Sequence, residues 1–310
     1  MQIPAHFRDG RYFNPGGEEV RGLRDVLKWK LATRPQRSPR MIPVLPSVPP
    51  ESVELLKLSI TMVNHSTVLI QTSGTNFLTD PIWSTHCSPV PFAGPRRHRM
   101  PGVEFDNLPS IDTVLLSHNH YDHLDLPTLR RLAKRGVARF VAPLGVAAFL
   151  KQHGIGPVRE LDWGHSIGLD RSLIHAAPAF HFSGRGLFDR NRTLWCSYVI
   201  DTSGGRVFFA GDTAFGPHFQ WIREQFGEPR VALLPIGAYQ PRWFMKPVHM
   251  DPEEAIAAHH FLGAKTSVAI HHGTFQLADD AVDTARERLL ACAPPDSFLI
   301  LDNGQSVLLD

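Results

Sequence analysis

Several features are scarce or missing in this sequence, and each absence excludes a class of protein. The three cysteines, Cys87, Cys196 and Cys292, are far apart and form no CxxC pair, which argues against a disulfide framework. The formal net charge is only +2, so no bulk positive charge points to nucleic acid. No apolar run reaches the ~18–20 residues of a membrane-spanning helix. Because the N-terminal MQIPAHFRDGR has no apolar stretch after a basic leader, we expect a cytoplasmic protein without a signal peptide.

What the sequence does contain is an ordinary globular composition with an excess of histidine. Of its 310 residues, 43% are hydrophobic and 20% are charged, the balance of a folded domain. The 17 histidines stand out because histidine is the commonest protein ligand of metal ions. The histidines are therefore the residues to examine first.

The N-terminal residues differ in pattern from the rest of the chain. Proline and arginine punctuate residues 32–50, which excludes a continuous helix or a central strand there. Before them, Glu18–Leu31 has apolar residues at helical spacing with basic residues between them. We predict an N-terminal arm over 1–50, made of a basic amphipathic helix and a proline-rich linker, and one domain over 51–310.

The basic helix of the arm has two interpretations. A basic amphipathic helix with Trp29 at its edge is typical of a segment that lies on an anionic membrane surface. Alternatively, the same helix packs across the domain as an N-terminal cover. Either way, we expect no more than peripheral contact with the inner membrane face.

From about Ser59 the chain alternates short β-rich runs with helical segments. Strands are predicted first, then alternating strands and helices, and then strands with helices again. This order indicates an α/β fold in which helices lie outside two β-sheets. No internal repeat or low-complexity tract interrupts it.

The strongest chemical signal is LLSHNHYDHLD at residues 115–125. An apolar strand is followed within six residues by four side chains that bind metals: His118, His120, Asp122 and His123. Such a loop can direct its first pair of side chains toward one metal and its second pair toward another. Imidazole and carboxylate ligands together favour Zn²⁺, with Fe or Mn as alternatives.

Three further segments place such residues after apolar strands. They are FFAGDT with Asp212, AIHHGT with His271 and His272, and APAFH with His181. Side chains at the carboxyl ends of strands are where α/β sheets place their sites. The sequence therefore predicts that these residues meet the 118–123 loop.

These residues together resemble the metallo-β-lactamase-fold hydrolases, whose pattern is HxHxDH followed by a distant His, a Gly-Asp and a final His. The resemblance implies an αββα sandwich, with two mixed sheets packed face to face and helices outside. It also implies two Zn²⁺ per chain, one held by His118, His120 and His181. The second would be held by Asp122, His123 and His271, with Asp212 bridging both. Of the adjacent pair His271 and His272, the family pattern places the ligand first.

Within that superfamily the sequence is similar to the N-acylphosphatidylethanolamine-hydrolysing phospholipase D branch. The most specific shared stretch is LLPIGAYQPRWFMKPVHMDPEEA at 233–255; others include FLTDPIWS at 77–84 and AIHHGTF at 269–275. The resemblance implies that a metal-bridging hydroxide cleaves a phosphodiester, giving phosphatidate and an N-acylethanolamine. The substrate would be a phospholipid or a small anionic ester, and the branch also suggests a homodimer. The segment HFSGR, which begins at His181, departs from the lipid-hydrolysing relatives.

The resemblance also assigns roles around the metals. Asp122, Asp212 and His249 are expected to be catalytic, and His65 is expected to lie near the metals. Asp80 is expected to orient an imidazole, whereas Asp251 reads as the N-cap of a helix. The residues expected to line the substrate groove are Tyr239, Arg242 and Trp243.

Three alternatives stand beside phosphodiester hydrolysis of a lipid. The same dinuclear site would serve a lactonase or a small phosphodiesterase. A non-enzymatic metal-binding or scaffold protein would require a ligand to be missing, and all the expected ligands are present. Nucleic acid cleavage would require a basic groove with aromatic platforms, against which the near-zero net charge argues.

Overall fold

The computed structural model describes residues 4–169 and 171–310, so the first three residues of the predicted arm lie outside it. Its strands, in chain order, are β1 Phe7–Arg8, β2 Arg11–Tyr12, β3 Leu58–Asn64, β4 Thr67–Thr72, β5 Thr75–Thr79, β6 Thr113–Leu115, β7 Arg139–Pro143, β8 Val158–Leu161, β9 Ser166–Leu169, β10 Ser172–Ala177, β11 Ser197–Thr202, β12 Gly205–Phe209, β13 Val231–Pro235, β14 Thr266–Ile270, β15 Phe298–Leu299 and β16 Ser306–Leu309. Its helices are α1 Leu23–Ala32, α2 Leu126–Lys134, α3 Val146–Gln152, α4 His218–Phe226, α5 Arg242–Met245, α6 Pro252–Leu262 and α7 Thr284–Ala291, with a 3₁₀ turn at Phe105–Asn107.

Two seven-stranded sheets form the centre of the molecule. Their strand orders are β16-β3-β4-β5-β6-β7-β8 and β15-β14-β13-β12-β11-β10-β9. In the first sheet, β3, β4 and β5 pair antiparallel, and the strands from β5 to β8 pair parallel. In the second sheet, the strands from β9 to β12 pair antiparallel, and those from β12 to β15 pair parallel. Both sheets are therefore mixed, as expected from the resemblance.

Apolar side chains fill three layers around these sheets. Ile60, Phe77 and Tyr198 belong to a core between the two sheets, and strand residues that alternate with these point outward. On one outer face α2 and α3 cover the first sheet. On the other, α4, α6 and α7 cover the second sheet. The αββα sandwich predicted from the sequence is confirmed.

The arm begins with a short hairpin of β1 and β2 and then forms α1. The helix starts at Leu23 and not at Glu18, because Gly22 is its N-cap and residues 18–22 remain non-helical. Glycine is a poor helix former, so the helix does not extend upstream of Gly22 although the apolar spacing does. Trp29 is buried against Ala238, Met245 and Ala278, whereas Leu23, Leu27 and Leu31 are exposed.

Several short elements were not predicted from the sequence. The strands β8, β9 and β16 and the helices α4 and α5 lie in segments whose spacing is too brief to reveal a period. The edge strand β16 pairs antiparallel with β3 and completes the first sheet. No helix among the described residues is long and apolar enough to cross a membrane.

Candidate metal centre

The metal centre lies where strands from both sheets end. The parallel strands β5 and β6 lead into Asp80 and into the 117–123 loop, and β12 and β14 lead into Asp212 and His271. The turn between β3 and β4 contributes His65, and the segment after β10 contributes His181. Because parallel strands end at the same edge of a sheet, residues distant in sequence become neighbours here.

One group of imidazoles forms the first side of the centre. The Nε2 atom of His118 lies 2.8 Å from Nδ1 of His120, which lies 3.2 Å from Nε2 of His181. Potential ligand atoms of all three residues lie within 4.8 Å of one another. Three imidazole nitrogens at this spacing suit a tetrahedral ion with bonds of about 2.0–2.1 Å.

A second group combines carboxylate and imidazole ligands. Oδ2 of Asp122 lies 3.1 Å from Nε2 of His123 and 3.3 Å from Nε2 of His271. His65 completes this group, with its Nε2 atom 2.9 Å from the same carboxylate oxygen. The structure therefore places His65 as close to Asp122 as the two predicted ligands.

The carboxylate of Asp212 lies between the two groups. Its Oδ2 atom is 3.1 Å from Nε2 of His271 and 3.2 Å from Nε2 of His123. The same oxygen is 3.7 Å from Nε2 of His181 and 4.0 Å from Nε2 of His118. One carboxylate thus faces ligands of both groups, which is the position that a bridging residue requires.

The Asp80 carboxylate orients His123 from behind. Its Oδ2 atom accepts a hydrogen bond of 2.7 Å from Nδ1 of His123, and its Oδ1 atom accepts one of 2.7 Å from the backbone N–H of Ser117. The hydroxyl of Ser117 also donates to Asp80. Holding Nδ1 in this way directs Nε2 of His123 toward the two aspartates.

The protonation of these side chains fits metal binding. Burial lowers the pKa of His120 to about 3 and that of His181 to about 4, so both imidazoles are neutral at pH 7, the form that binds metals. Burial also acts on His271, but the Asp212 and Asp122 carboxylates outweigh it and raise the pKa of His271 to about 9. A metal ion would take the place of that proton.

The donor set itself also fits a metal ion. The Oδ1 atom of Asp212 is buried and has no hydrogen-bond partner among the described residues. Leaving a buried carboxylate oxygen unpaired is costly unless a cation compensates it. The residues present therefore match the nitrogen and oxygen ligands of Zn²⁺ or a similar ion.

The remaining predicted site residues take several positions. His249 lies at the centre, with its Nδ1 atom 4.0 Å from Oδ2 of Asp212. Arg242 donates to the backbone carbonyl of His249 and forms ion pairs with Asp251 and Glu254. Asp251 caps α6, as its sequence context predicts: its side chain accepts from the backbone N–H of Glu254.

Tyr239 and Trp243 lie apart from the metal ligands. Tyr239 is buried in the apolar layer beneath α4, α6 and α7. The side chain of Trp243 is partly exposed and lies under the ammonium of Lys28. His272, the neighbour of His271, is only partly buried and lies on the side of Arg99 and Asp283.

Beside the centre lies a cavity of about 350 Å³ that sequence reasoning did not foresee in detail. Its walls include Phe182, Phe244 and Val248. Each of these residues is adjacent in sequence to a residue that was singled out: His181, Trp243 or His249. Phe182 also belongs to the HFSGR segment, and Phe244 and Val248 belong to the shared stretch at 233–255. For the arm, only the interpretation of its helix as an N-terminal cover pointed to a contact with the domain.

The chain was compared with known proteins. A family model described as a beta-lactamase superfamily domain matches residues 75–272. An uncharacterized protein of Mycobacterium tuberculosis is 39% identical over 95% of this chain and 81% of its own length. N-acyl-phosphatidylethanolamine-hydrolyzing phospholipase D 1 of Caenorhabditis elegans is 38% identical over 71% of this chain and 65% of its own length. A metallo hydrolase structure from Ignicoccus hospitalis aligns with a TM-score of 0.60 and 23% identity over 82% of this chain and 99% of that one.

The chain belongs to the beta-lactamase superfamily, because the family model covers more than half of it and includes the metal-ligand loop. Together with the site geometry, this makes it a metal-dependent hydrolase. Its sequence is also similar to phospholipases D that hydrolyse N-acylphosphatidylethanolamine. The resemblance inferred from the motifs is thus confirmed.

Proposed function

We propose that this protein binds two Zn²⁺ ions and hydrolyses N-acylphosphatidylethanolamine to phosphatidate and an N-acylethanolamine. The observation that carries the proposal is the position of the Asp212 carboxylate between two ligand groups. The similarity to phospholipases D of that specificity supports the choice of substrate. The adjacent cavity, which combines apolar walls with arginines, also suits a lipid anion.

In this reaction a water oxygen bonds to phosphorus and the bond from phosphorus to the ethanolamine oxygen breaks. The proton of the water ends on the leaving alcohol, so no other reactant is consumed. Bound zinc ions would supply positive charge to the phosphodiester and lower the pKa of the attacking water. We assign to His249, which faces Asp212 at the centre, the transfer of the proton to the leaving oxygen.

We also propose that the exposed face of α1 rests on an anionic lipid bilayer. Leu23, Leu27 and Leu31 lie four residues apart along one face and are 75%, 65% and 88% exposed. The neighbouring basic residues Arg24, Lys28 and Lys30 match the charge of such a surface. Leu23 also lines the cavity beside the metal centre, so the apolar face continues into it and would let a lipid enter from the bilayer.

The proposed reaction is tested by a product assay. Zinc-loaded protein is incubated with N-acylphosphatidylethanolamine in mixed micelles, and the products are identified by mass spectrometry. We expect phosphatidate and N-acylethanolamine in equal amounts. Asp212→Ala should abolish turnover and reduce the bound metal, because the variant lacks the carboxylate that faces both groups.

Two results would contradict the proposal. Full turnover by Asp212→Ala would show that the reaction does not require the metal centre. Protein shown to hold two metals but releasing no lipid product would exclude this substrate, and activity on lactones or small phosphodiesters would then define the reaction.

A further inference from the structure

The cavity beside the metal centre lies between the N-terminal arm and the catalytic domain. The arm side is formed by Val20, Arg21, Leu23 and Val26. The domain side includes Phe182, Arg185, Arg190, Phe244 and Val248. The cavity volume of about 350 Å³ falls within the ~300–1,000 Å³ range of small-molecule sites.

The domain side of the cavity touches the metal ligands directly. The ring of Phe182 lies 4.5 Å from that of His120 and 4.9 Å from that of His181, measured between ring centroids. The backbone carbonyl of Val248 accepts a hydrogen bond of 3.0 Å from Nδ1 of His181. A ligand that fills the cavity therefore ends next to the reacting centre.

Side-chain hydrogen bonds hold the arm in place as the opposite wall. Arg190 donates to the backbone carbonyl of Arg21 at 2.7 Å, and Nε of Arg21 donates to the carbonyl of Trp243 at 3.1 Å. Further along α1, Nε1 of Trp29 donates to Asp279 at 2.8 Å. These bonds connect the arm to the segment after His181, to α5 and to the loop before α7.

Upstream of α1 the arm also reaches a metal ligand. The amide of Asn14 donates to the backbone carbonyl of His181 at 2.8 Å, and its Oδ1 atom accepts from Nε1 of Trp195 at 3.0 Å. A Cβ atom at Gly17 would lie 3.2 Å from the ring of Phe180, so the arm passes close to the domain there. The arm is thus packed as part of the site.

In the part of the chain that the structure describes, the arginines of the cavity form no close ion pair with a carboxylate, and only Arg185 lies near enough to carboxylates, those of Asp125 and Asp189 among them, for them to stabilise its charge. Among the described residues, no carboxylate oxygen lies within 4.0 Å of a guanidinium nitrogen of Arg21, Arg185 or Arg190. Their hydrogen bonds go to backbone carbonyls, including those of Asn119 and Leu124 for Arg185. The cavity consequently combines apolar walls with the positive charges of Arg21 and Arg190, which fits an acyl chain joined to a phosphate.

We propose that the N-terminal arm is a specificity-determining wall of the active site, and that the cavity binds the N-acyl chain of the substrate. The proposal rests on the function proposed above. A cavity of this size accommodates about one acyl chain, and the N-acyl group is the single chain on its side of the bond that breaks, whereas phosphatidate carries two. Val26, on the inner face of α1, is placed to set the chain length.

The test measures binding, which needs no turnover. Zinc-loaded protein is titrated by calorimetry with N-octanoyl-, N-lauroyl- and N-palmitoylethanolamine. In Val26→Phe the larger ring fills part of the cavity, and affinity for the palmitoyl compound should fall about tenfold, the loss expected when one or two methylene groups no longer fit. Affinity for the octanoyl compound should change little. Val26→Ala enlarges the cavity, and its preference should shift toward the longer chain.

Leu290→Phe is the matched control, because Leu290 lies on α7, outside the cavity lining, and its side chain is 57% exposed. Its chain-length profile should equal that of the wild type. Metal content and hydrolysis of bis(4-nitrophenyl) phosphate report whether each variant keeps its centre.

Unchanged profiles in both Val26 variants, or no binding of any N-acylethanolamine to the wild type, would overturn the proposal. If the chain-length profile responds as expected but N-acylphosphatidylethanolamine is not hydrolysed, the proposed reaction fails while the acyl-chain cavity stands.

Discussion

At the scale of single residues, the metal centre depends on side chains that bind no metal themselves. Asp80 is fully buried and adopts a left-handed backbone conformation, with φ of 34°. Aspartate and asparagine are among the residues that tolerate this conformation best. From this position its two oxygens accept hydrogen bonds from Ser117 and His123, so one carboxylate sets the direction of a ligand.

Asp80→Asn should lower metal affinity without disturbing the backbone, because asparagine suits the same φ. The amide keeps one oxygen, but its NH₂ group cannot accept the hydrogen bond of His123. We expect zinc affinity to fall about 10–100-fold, the usual cost of removing such a partner. The measurement is a competition titration against a chromophoric chelator. Asp296→Asn, at an exposed carboxylate, is the control, and equal affinity in the two variants would contradict the role of Asp80.

At the scale of elements, α6 and the segment before it form one hydrogen-bonded unit. Asp251 and Glu254 form a capping box, in which each side chain accepts from the backbone N–H of the other residue. Arg242 pairs with both carboxylates and donates to the carbonyl of His249. The position of His249 at the centre is thereby tied to the start of a helix.

Asp251→Ala should destabilise the protein by about 1 kcal/mol, because the N-terminal N–H groups of α6 lose their acceptor. Asp251→Asn keeps an acceptor but also loses the charge that pairs with Arg242, so comparing the two variants isolates the cap. The free energy of unfolding is obtained from urea denaturation. Equal loss in both variants would show that the ion pair, and not the cap, stabilises α6.

The sequence of residues 242–254 predicts only part of this unit. Asp251-Pro252 followed by Glu254 is a helix start by its own chemistry, and the structure has that start at the predicted residue. The contact of Arg242 with His249 could not be inferred, because it depends on how the chain folds back after β13. Helix propensity depends on residues that are close in sequence, so it does not predict which backbone carbonyl the Arg242 side chain contacts.

At the scale of the whole molecule, the two sheets position the ligand residues and the arm packs beside them. The arm buries Trp29 against the domain and leaves Leu23, Leu27 and Leu31 facing outward. The two interpretations of the helix made from sequence are therefore not exclusive: one face packs as a cover while another stays free. The proposed homodimer stays a prediction.

Replacing Leu27 and Leu31 together by serine should weaken binding to vesicles containing phosphatidylserine. Each leucine that enters the bilayer contributes about 1.5–3 kcal/mol, so we expect a loss of tenfold or more. Co-sedimentation with vesicles measures the bound fraction, and added salt should weaken it further because screening reduces the attraction of the basic residues. Leu290→Ser, at an exposed leucine on α7, is the control. The bilayer contact is refuted if the double variant binds as the control does.

The local pattern of the chain was enough to establish the kind of protein this is. The order of strands and helices predicted an α/β fold with helices outside two sheets, and the ligand residues from His118 to His271 predicted a metal site, because strand periodicity and ligand chemistry are both encoded in short segments. The αββα sandwich and the metal-dependent hydrolase followed from the resemblance of these motifs to the metallo-β-lactamase-fold pattern. The convergence of those segments on Asp212 and the role of Asp80 behind His123 required the folded chain. So did the wall that residues 20–26 build against Phe182, since contacts between segments separated by more than a hundred residues leave no periodic trace in either one.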